Sequence, residues 1–239
     1  MDAAGVTNIT LYHYPLSRSM RVLFLLNELG VQHEVKRMKL LVGEAYMPEF
    51  MKLNPNHAVP VVTFSARGQK DLVVMAESSA ILRFFGTLAH PVPLAPSVEH
   101  GDNLATVADW ERWFAFANTT MDSTLWNIRV INDLRGCPEA ERALLATYCD
   151  KWNNEISPQL EQRFQGNEFA SEWGFSVLDC VMFQNLQWSA KYARAGLLNP
   201  LGPATMAYLR RIASRPACKR ATEDASLFEQ ELKKKSPKL

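Results

Sequence analysis

The chain is 239 residues long, 47% hydrophobic and 21% charged, with 26 Lys+Arg against 25 Asp+Glu for a formal charge of +1. That length buries a substantial core without disulfide or metal staples, and the balanced charge leaves no global electrostatic reason to bind nucleic acid or an acidic membrane. No apolar run reaches the roughly 18 residues of a membrane span, and the first ten residues have neither the basic nor the apolar region of a secretory signal, so a soluble cytoplasmic protein is expected.

Ile9 to His13 is a β-branched and aromatic run that stops before Pro15, which predicts a strand. Ser19 to Leu29 places Met20, Leu23, Phe24 and Leu26 at helical spacing and ends at Gly30, a residue suited to the position after a helix. Gln32 to Lys36 predicts a second strand, and Met47 to Leu53 a short helix with Pro48 in its first turn. Val59 to Phe64 and Leu72 to Met75 flank a polar stretch containing Gly68, a hairpin pattern. Glu77-Ser78-Ser79 opens a helix through Ile81, Leu82, Phe84 and Phe85. The order β-α-β then β-β-α predicts a small α/β unit with a mixed sheet.

His90 to Pro96 holds three prolines and reads as a linker. Beyond it every apolar pattern is helical. Leu104 to Leu134 puts Trp110, Trp113, Phe114 and Ala117 on one face, Glu139 to Phe164 continues in the same style, and Ser176-x-x-Asp179 is a capping box with Asp in place of the usual Glu. The domain expectation is residues 1–89, a linker at 90–101, and an all-helical part at 102–239. The four Cys (Cys137, Cys149, Cys180, Cys218) form no CxxC pair and no ligand cluster. Neither a disulfide framework nor a metal site is expected, and no thiol precedes Cys137.

Three local motifs then combine with this order. They are Leu11-Tyr12-His13-Tyr14-Pro15-Leu16-Ser17-Arg18-Ser19-Met20-Arg21; Pro48-Glu49-Phe50 with Asn54-Pro55-Asn56-His57-Ala58-Val59-Pro60; and Glu77-Ser78-Ser79-Ala80-Ile81. Together with the capping box and Arg211 to Ala217, the chain from about Ile9 to Ala221 resembles a cytosolic glutathione transferase, nearest the serine-type delta and theta patterns. The resemblance implies a thioredoxin-like first domain, an all-α second domain and a homodimer. It also implies conjugation of the glutathione thiolate to small hydrophobic electrophiles, with glutathione as co-substrate and peroxidase chemistry as a side activity.

Each residue has its own physical reading beside that resemblance. Ser17 at a strand-to-helix turn is by itself a helix N-cap; the resemblance makes it the hydroxyl that holds the thiolate, with Ser19 the runner-up and Tyr14 read as strand packing. Val59-Pro60 matches the family's cis peptide, whose exposed Val59 amide and carbonyl pair with a cysteinyl backbone. Glu77 and Ser78 are a helix start, and by resemblance they face the γ-glutamyl ammonium and carboxylate. His57 corresponds to a histidine at the glycyl end. Ala45 and Ser79 stand where relatives carry His and Arg, leaving Lys39 or Lys52 as substitutes. The Trp110 helix is core that also lines an electrophile pocket in the family; Arg112 stays open between surface and pocket.

The rival readings are a non-catalytic binding or assembly module of the same shape, and a thiol reductase. The missing early Cys speaks against the reductase. The basic tail ending Pro237-Lys238-Leu239 reads as a solvated end, a partial match to the Ser-Lys-Leu peroxisomal address.

Overall fold

The computed structural model describes residues 5–88 and 93–223. Residues 89–92, at the start of the expected linker, and the basic tail with its Pro-Lys-Leu ending lie outside the described residues. Contacts divide the chain into two units, one running to Ala95 and taking in the segment from Ser214 onward, the other Pro96–Ala213.

In the first unit, β1 (Val6–His13), α1 (Ser19–Glu28) and β2 (His33–Arg37) form a crossover that lays β2 parallel to β1. After α2 (Pro48–Met51), β3 (Val61–Ala66) and β4 (Val73–Ala76) form the expected hairpin, with Gly68 at φ 81, and α3 (Ser78–Leu88) follows. The sheet order is β2-β1-β3-β4, β3 being antiparallel to both neighbours. α1 ends where Leu29 caps it and Gly30 turns left-handed at φ 62, as its sequence predicts.

The core between the sheet and its helices is Leu11, Leu25, Val61, Val62, Ile81, Leu82 and Phe85, all fully buried. Phe64 packs against Phe84 and Phe85, ring centroids 5.5 Å from each. The segment 216–223 is helical and returns to α1: Arg215 pairs with Glu28, and Arg220 donates to the Asn27 carbonyl at 3.0 Å.

The second unit is helical throughout, as expected. α4 (Leu104–Phe116) starts at Asn103, whose side chain accepts from Ala105 N–H, and α5 (Asp122–Arg129) continues it through a π-helical turn at Ala117–Met121. Asn185 of α8 (Val177–Arg194) donates to the Ala117 carbonyl at 2.7 Å, supplying a partner where the widened turn disturbs the helical ladder. α6 (Arg142–Lys151) and α7 (Ser157–Phe164) flank a second such widening, at Trp152–Ile156. Trp110 and Trp113 are buried, and Trp110 stacks on Phe114 at 4.8 Å. Arg112 is exposed, pairs with Asp109 at 3.1 Å and lies over the Trp113 ring. No helix among the described residues is long and apolar enough to cross a membrane, and none of their side chains gather into a metal-binding group.

α9 (Pro203–Ser214) has an unusual cap. The Glu161 carboxylate on α7 accepts from the Ala204 and Thr205 amides and from the Thr205 hydroxyl, at 2.8, 3.0 and 2.8 Å. Burial opposes ionisation of Glu161, but these three donors outweigh it and hold the carboxyl below its ordinary value of 4.5. Gly202 allows the approach, because a Cβ there would collide with the carboxylate. Gly202→Ala is therefore expected to cost about 1–2 kcal/mol by displacing the cap, measured by chemical denaturation. In a Glu161→Ala background, where the colliding group is gone, the same substitution should cost far less. The sign for pH follows from the lowered value: the cap stabilises fully above the ordinary glutamate range and is lost as pH falls through the folded value. The wild type and Glu161→Gln should therefore converge in stability in acid.

Candidate functional site

The strand register gathers the singled-out residues of the first unit. Tyr12 pairs with Val61 and Val61 with Ala76, so these three share one row across the sheet. His13 pairs with Arg37 at the same end. The segments that leave this row are Tyr14–Ser19, the stretch from Met38 to Pro60, and Glu77–Ser78. All of them emerge at one end of the sheet, although they are far apart in sequence.

Backbone strain concentrates there too. Leu16, His57 and Glu77 are non-glycine residues in the left-handed region, at φ 62, 53 and 67. Each such residue costs on the order of 1–3 kcal/mol and persists only where its surroundings demand it. Glu77 turns the chain from β4 into α3, and its carbonyl accepts the Ile81 amide at 2.9 Å. Glu77 therefore occupies the cap position, and Ser78 is the first helical residue and is buried. The Glu77 side chain is exposed. Its carboxylate thus needs no buried counter-charge and is open to a cation from solvent.

The turn after β1 is a dense hydroxyl cluster. Ser17 is half-buried and Ser19 fully buried. α1 begins at Ser19 with Arg18 in the cap position, so Ser17 is not the helix cap that its residue type suggested. The Ser17 hydroxyl donates to the Tyr14 carbonyl at 2.6 Å and accepts the Ser19 amide at 3.2 Å. Its oxygen lies 2.8 Å from Ser19 Oγ. Ser19 Oγ accepts the Tyr14 amide at 3.1 Å and meets Nδ1 of the buried His13 at 2.7 Å. His13 plays no part in the sequence argument beyond its place in the strand. Its signal is subtle: a polar ring at the inward position of a strand whose outer neighbours alternate.

The loop before β3 is organised by Asn54, which is buried. Its side chain donates to the Ala58 carbonyl at 2.8 Å and accepts the Asn56 amide at 3.1 Å, an Asx-type turn. The Val59–Pro60 bond is cis. Val59 stands ahead of β3, outside the ladder, and packs partly buried beside Met38, Ala45 and Phe50. His57 is half-buried, with Nδ1 3.3 Å from the Ala45 carbonyl and its ring stacked 4.4 Å from Tyr46. Tyr46 is a second residue that the sequence did not single out. Ala45 cannot offer a side-chain donor, yet its carbonyl orients the neighbouring histidine. Lys39 and Lys52 are both exposed.

Comparison with known proteins adds a similarity to one family. Residues 17–88 match the family model described as glutathione S-transferase, N-terminal domain. Glutathione S-transferase 3 of Schizosaccharomyces pombe is 31% identical over 124 residues, 52% of this chain and 47% of that one. The chain thus spans about half the length, or less, of the curated transferases it matches at this level of identity. The disulfide-bond oxidoreductase YfcG of Escherichia coli is 23% identical over 92% of this chain and 96% of its own. A crystal structure of a glutathione transferase family member from Pseudomonas fluorescens, with two glutathione bound, shares the fold at a TM-score of 0.74. It is 20% identical and covers 89% of this chain and 91% of that one. The β-α-β-β-α unit followed by a helical unit is thus the fold of solved glutathione transferases, and residues 17–88 are similar in sequence to the N-terminal domain of that family.

Proposed function

We propose that this chain binds glutathione at the strained end of its first sheet and conjugates the thiolate to small hydrophobic electrophiles. The observation that carries this reading is the convergence of the Ser17 turn, Val59–Pro60 and Glu77–Ser78 on one row of the sheet. Ser17 donates a hydrogen bond from its hydroxyl to the thiolate, which raises the nucleophilic fraction at neutral pH. Val59 offers its amide and carbonyl to the cysteinyl backbone in the manner of an added strand. Ser78 and the first amides of α3 receive the γ-glutamyl carboxylate, and the exposed Glu77 faces the ammonium. His57, oriented by the Ala45 carbonyl and Tyr46, serves the glycyl end. Cytoplasmic residence and a homodimer belong to the same reading.

A second reading is supported by the E. coli relative that aligns along nearly the whole chain and is named a disulfide-bond oxidoreductase. The absence of an early Cys does not exclude it, because glutathione brings its own sulfur. Its thiolate attacks a disulfide, forming a mixed disulfide and releasing one sulfur as thiolate; a second glutathione thiolate then attacks the glutathione sulfur of the mixed disulfide, releasing the other sulfur as thiolate and leaving oxidised glutathione.

The test is to titrate glutathione and follow the thiolate absorbance, then to assay an activated aryl halide and a small disulfide in parallel. Turnover of the aryl halide supports conjugation, and turnover of the disulfide alone supports exchange. Absence of binding overturns both and leaves the assembly-module reading.

A further inference from the structure

The hydroxyl cluster behind Ser17 holds a proton assignment that reaches the buried His13. Three short contacts run in series: Ser17 Oγ to the Tyr14 carbonyl at 2.6 Å, Ser19 Oγ to Ser17 Oγ at 2.8 Å, and His13 Nδ1 to Ser19 Oγ at 2.7 Å. Each needs one proton, and each hydroxyl has only one to give. A carbonyl has none, so the first contact uses the Ser17 proton. Ser19 Oγ has two acceptors within reach, Ser17 Oγ at 2.8 Å and the Tyr14 carbonyl at 3.0 Å; given to the shorter, its proton serves the second contact, and the third is left to the proton on His13 Nδ1. Acceptor capacity closes the same way. Ser19 Oγ accepts from His13 and from the Tyr14 amide at 3.1 Å, and Ser17 Oγ accepts from Ser19 Oγ and from the Ser19 amide at 3.2 Å. Both oxygens are then full, and the Ser17 proton is the sole one at the open end of the chain.

We infer that His13 and Ser19 are positioning residues: His13, through its Nδ1 proton, directs the Ser19 hydroxyl onto Ser17, so that the Ser17 proton is left to be given outward. The inference rests on the proposed glutathione chemistry and deepens it. When a thiolate sulfur replaces the Tyr14 carbonyl as acceptor, only the Ser17 O–H turns. His13 and Ser19 keep their bonds, and the aligned series polarises the terminal O–H toward the sulfur. With Nδ1 bare, the Ser19 proton turns to that nitrogen at 2.7 Å, and with the imidazole removed it swings to the Tyr14 carbonyl 3.0 Å away. Ser17 then loses a donor and becomes the weaker partner of the sulfur. Ser19, the runner-up for direct thiol contact in the sequence, thereby acts through Ser17.

The amide of Asn occupies the place of the imidazole Nδ1, whereas that of Gln reaches toward the place of Nε2. His13→Phe and His13→Gln are therefore expected to lower kcat by about tenfold, the scale of one lost hydrogen bond. The KM for glutathione should stay within about twofold. His13→Asn should restore most of the rate, and Ser19→Ala should behave as His13→Phe does. Independently of activity, nitrogen-15 NMR of the ligand-free wild type should find Nδ1 of His13 protonated, a readout that stands even if the Phe variant does not fold. A bare Nδ1 overturns the inference. So does a loss confined to KM, equal defects in the Asn and Phe variants, or a Phe variant as fast as a conjugating wild type. A wild type that neither binds nor turns over glutathione overturns the inference together with the function beneath it.

Discussion

Ser17→Ala is expected to lower the turnover of glutathione conjugation by about 10²–10³-fold, the cost of removing one preorganised donor from a developing or resident anion. The KM for glutathione should change little, because backbone groups at Val59, Ser78 and the start of α3 hold the tripeptide in this reading. The measurement pairs steady-state kinetics with the thiolate absorbance of the bound tripeptide. In the wild type the thiolate signal should persist at neutral pH, and in the variant it should appear only at the more alkaline pH of a free thiol. The buried Ser19 still accepts from His13 and the Tyr14 amide in the variant, and its freed proton turns to the Tyr14 carbonyl 3.0 Å away, so it does not substitute for the missing hydroxyl. An unchanged rate, with the thiolate signal intact, would move the role away from Ser17.

Asp179→Ala is expected to destabilise the protein by about 3–5 kcal/mol, a large share of the 5–15 kcal/mol that holds a typical domain. Asp179 is fully buried. Its carboxylate accepts from the Ser176 amide at 2.9 Å, the Ala170 amide at 2.8 Å and the Tyr208 hydroxyl at 2.9 Å. Ser176 in turn accepts the Leu178 amide at 3.3 Å and the indole N–H of Trp110 at 2.9 Å. The capping box thus joins the start of α8, α9, α4 and the loop before α8 through one charge. Truncation to Ala leaves three buried donors without an acceptor, and each such loss costs about 1–3 kcal/mol. Denaturant titration should find the midpoint shifted with the slope unchanged. Tyr208→Phe, which removes one donor and leaves none stranded, should cost only about 1 kcal/mol. A variant within about 1 kcal/mol of wild type would mean that water satisfies these groups.

Both predictions begin from motifs visible in the sequence, but their physical content differs. The Ser176-x-x-Asp179 spacing is a local pattern. A serine hydroxyl and a carboxylate three residues on meet the free amides of the same helix start, so no tertiary information is needed to predict the box. What the spacing does not carry is that the carboxylate also takes Ala170 and Tyr208. Those partners depend on how α9 lies beside α8 within the second unit. The same division holds at Glu161, which nothing in its own neighbourhood marks as a cap for α9.

Periodicity was sufficient for the secondary elements. Alternation along β1, the helical spacing in α1, and Gly30 and Gly68 at left-handed positions are local consequences of sterics and of burying one face. The departures are small and have local causes. β1 begins earlier than its β-branched core, because Val6 and Thr7 pair with Ala66 and Ser65 beyond a register shift. α3 begins at Ser78 under a Glu77 cap because Glu77 takes a conformation that residue type alone disfavours. The π-helical turns in the second unit leave no composition signal; tertiary bonds such as that from Asn185 to Ala117 accompany them.

The sequence by itself determined the class of the two units, the chain order of their elements, the family resemblance and the short list of Ser17, Val59, Pro60, Glu77 and Ser78. These rest on patterns spanning a few residues or on their order along the chain. Only the tertiary structure decided that Tyr12, Val61 and Ala76 share a row, that the segment from Ser214 returns to α1, and that His13 stands behind the two serines. The reason is physical. Strand register, the return of a distant segment and the proton balance of a buried cluster are set by contacts between residues far apart in sequence, whose free energies no local window contains.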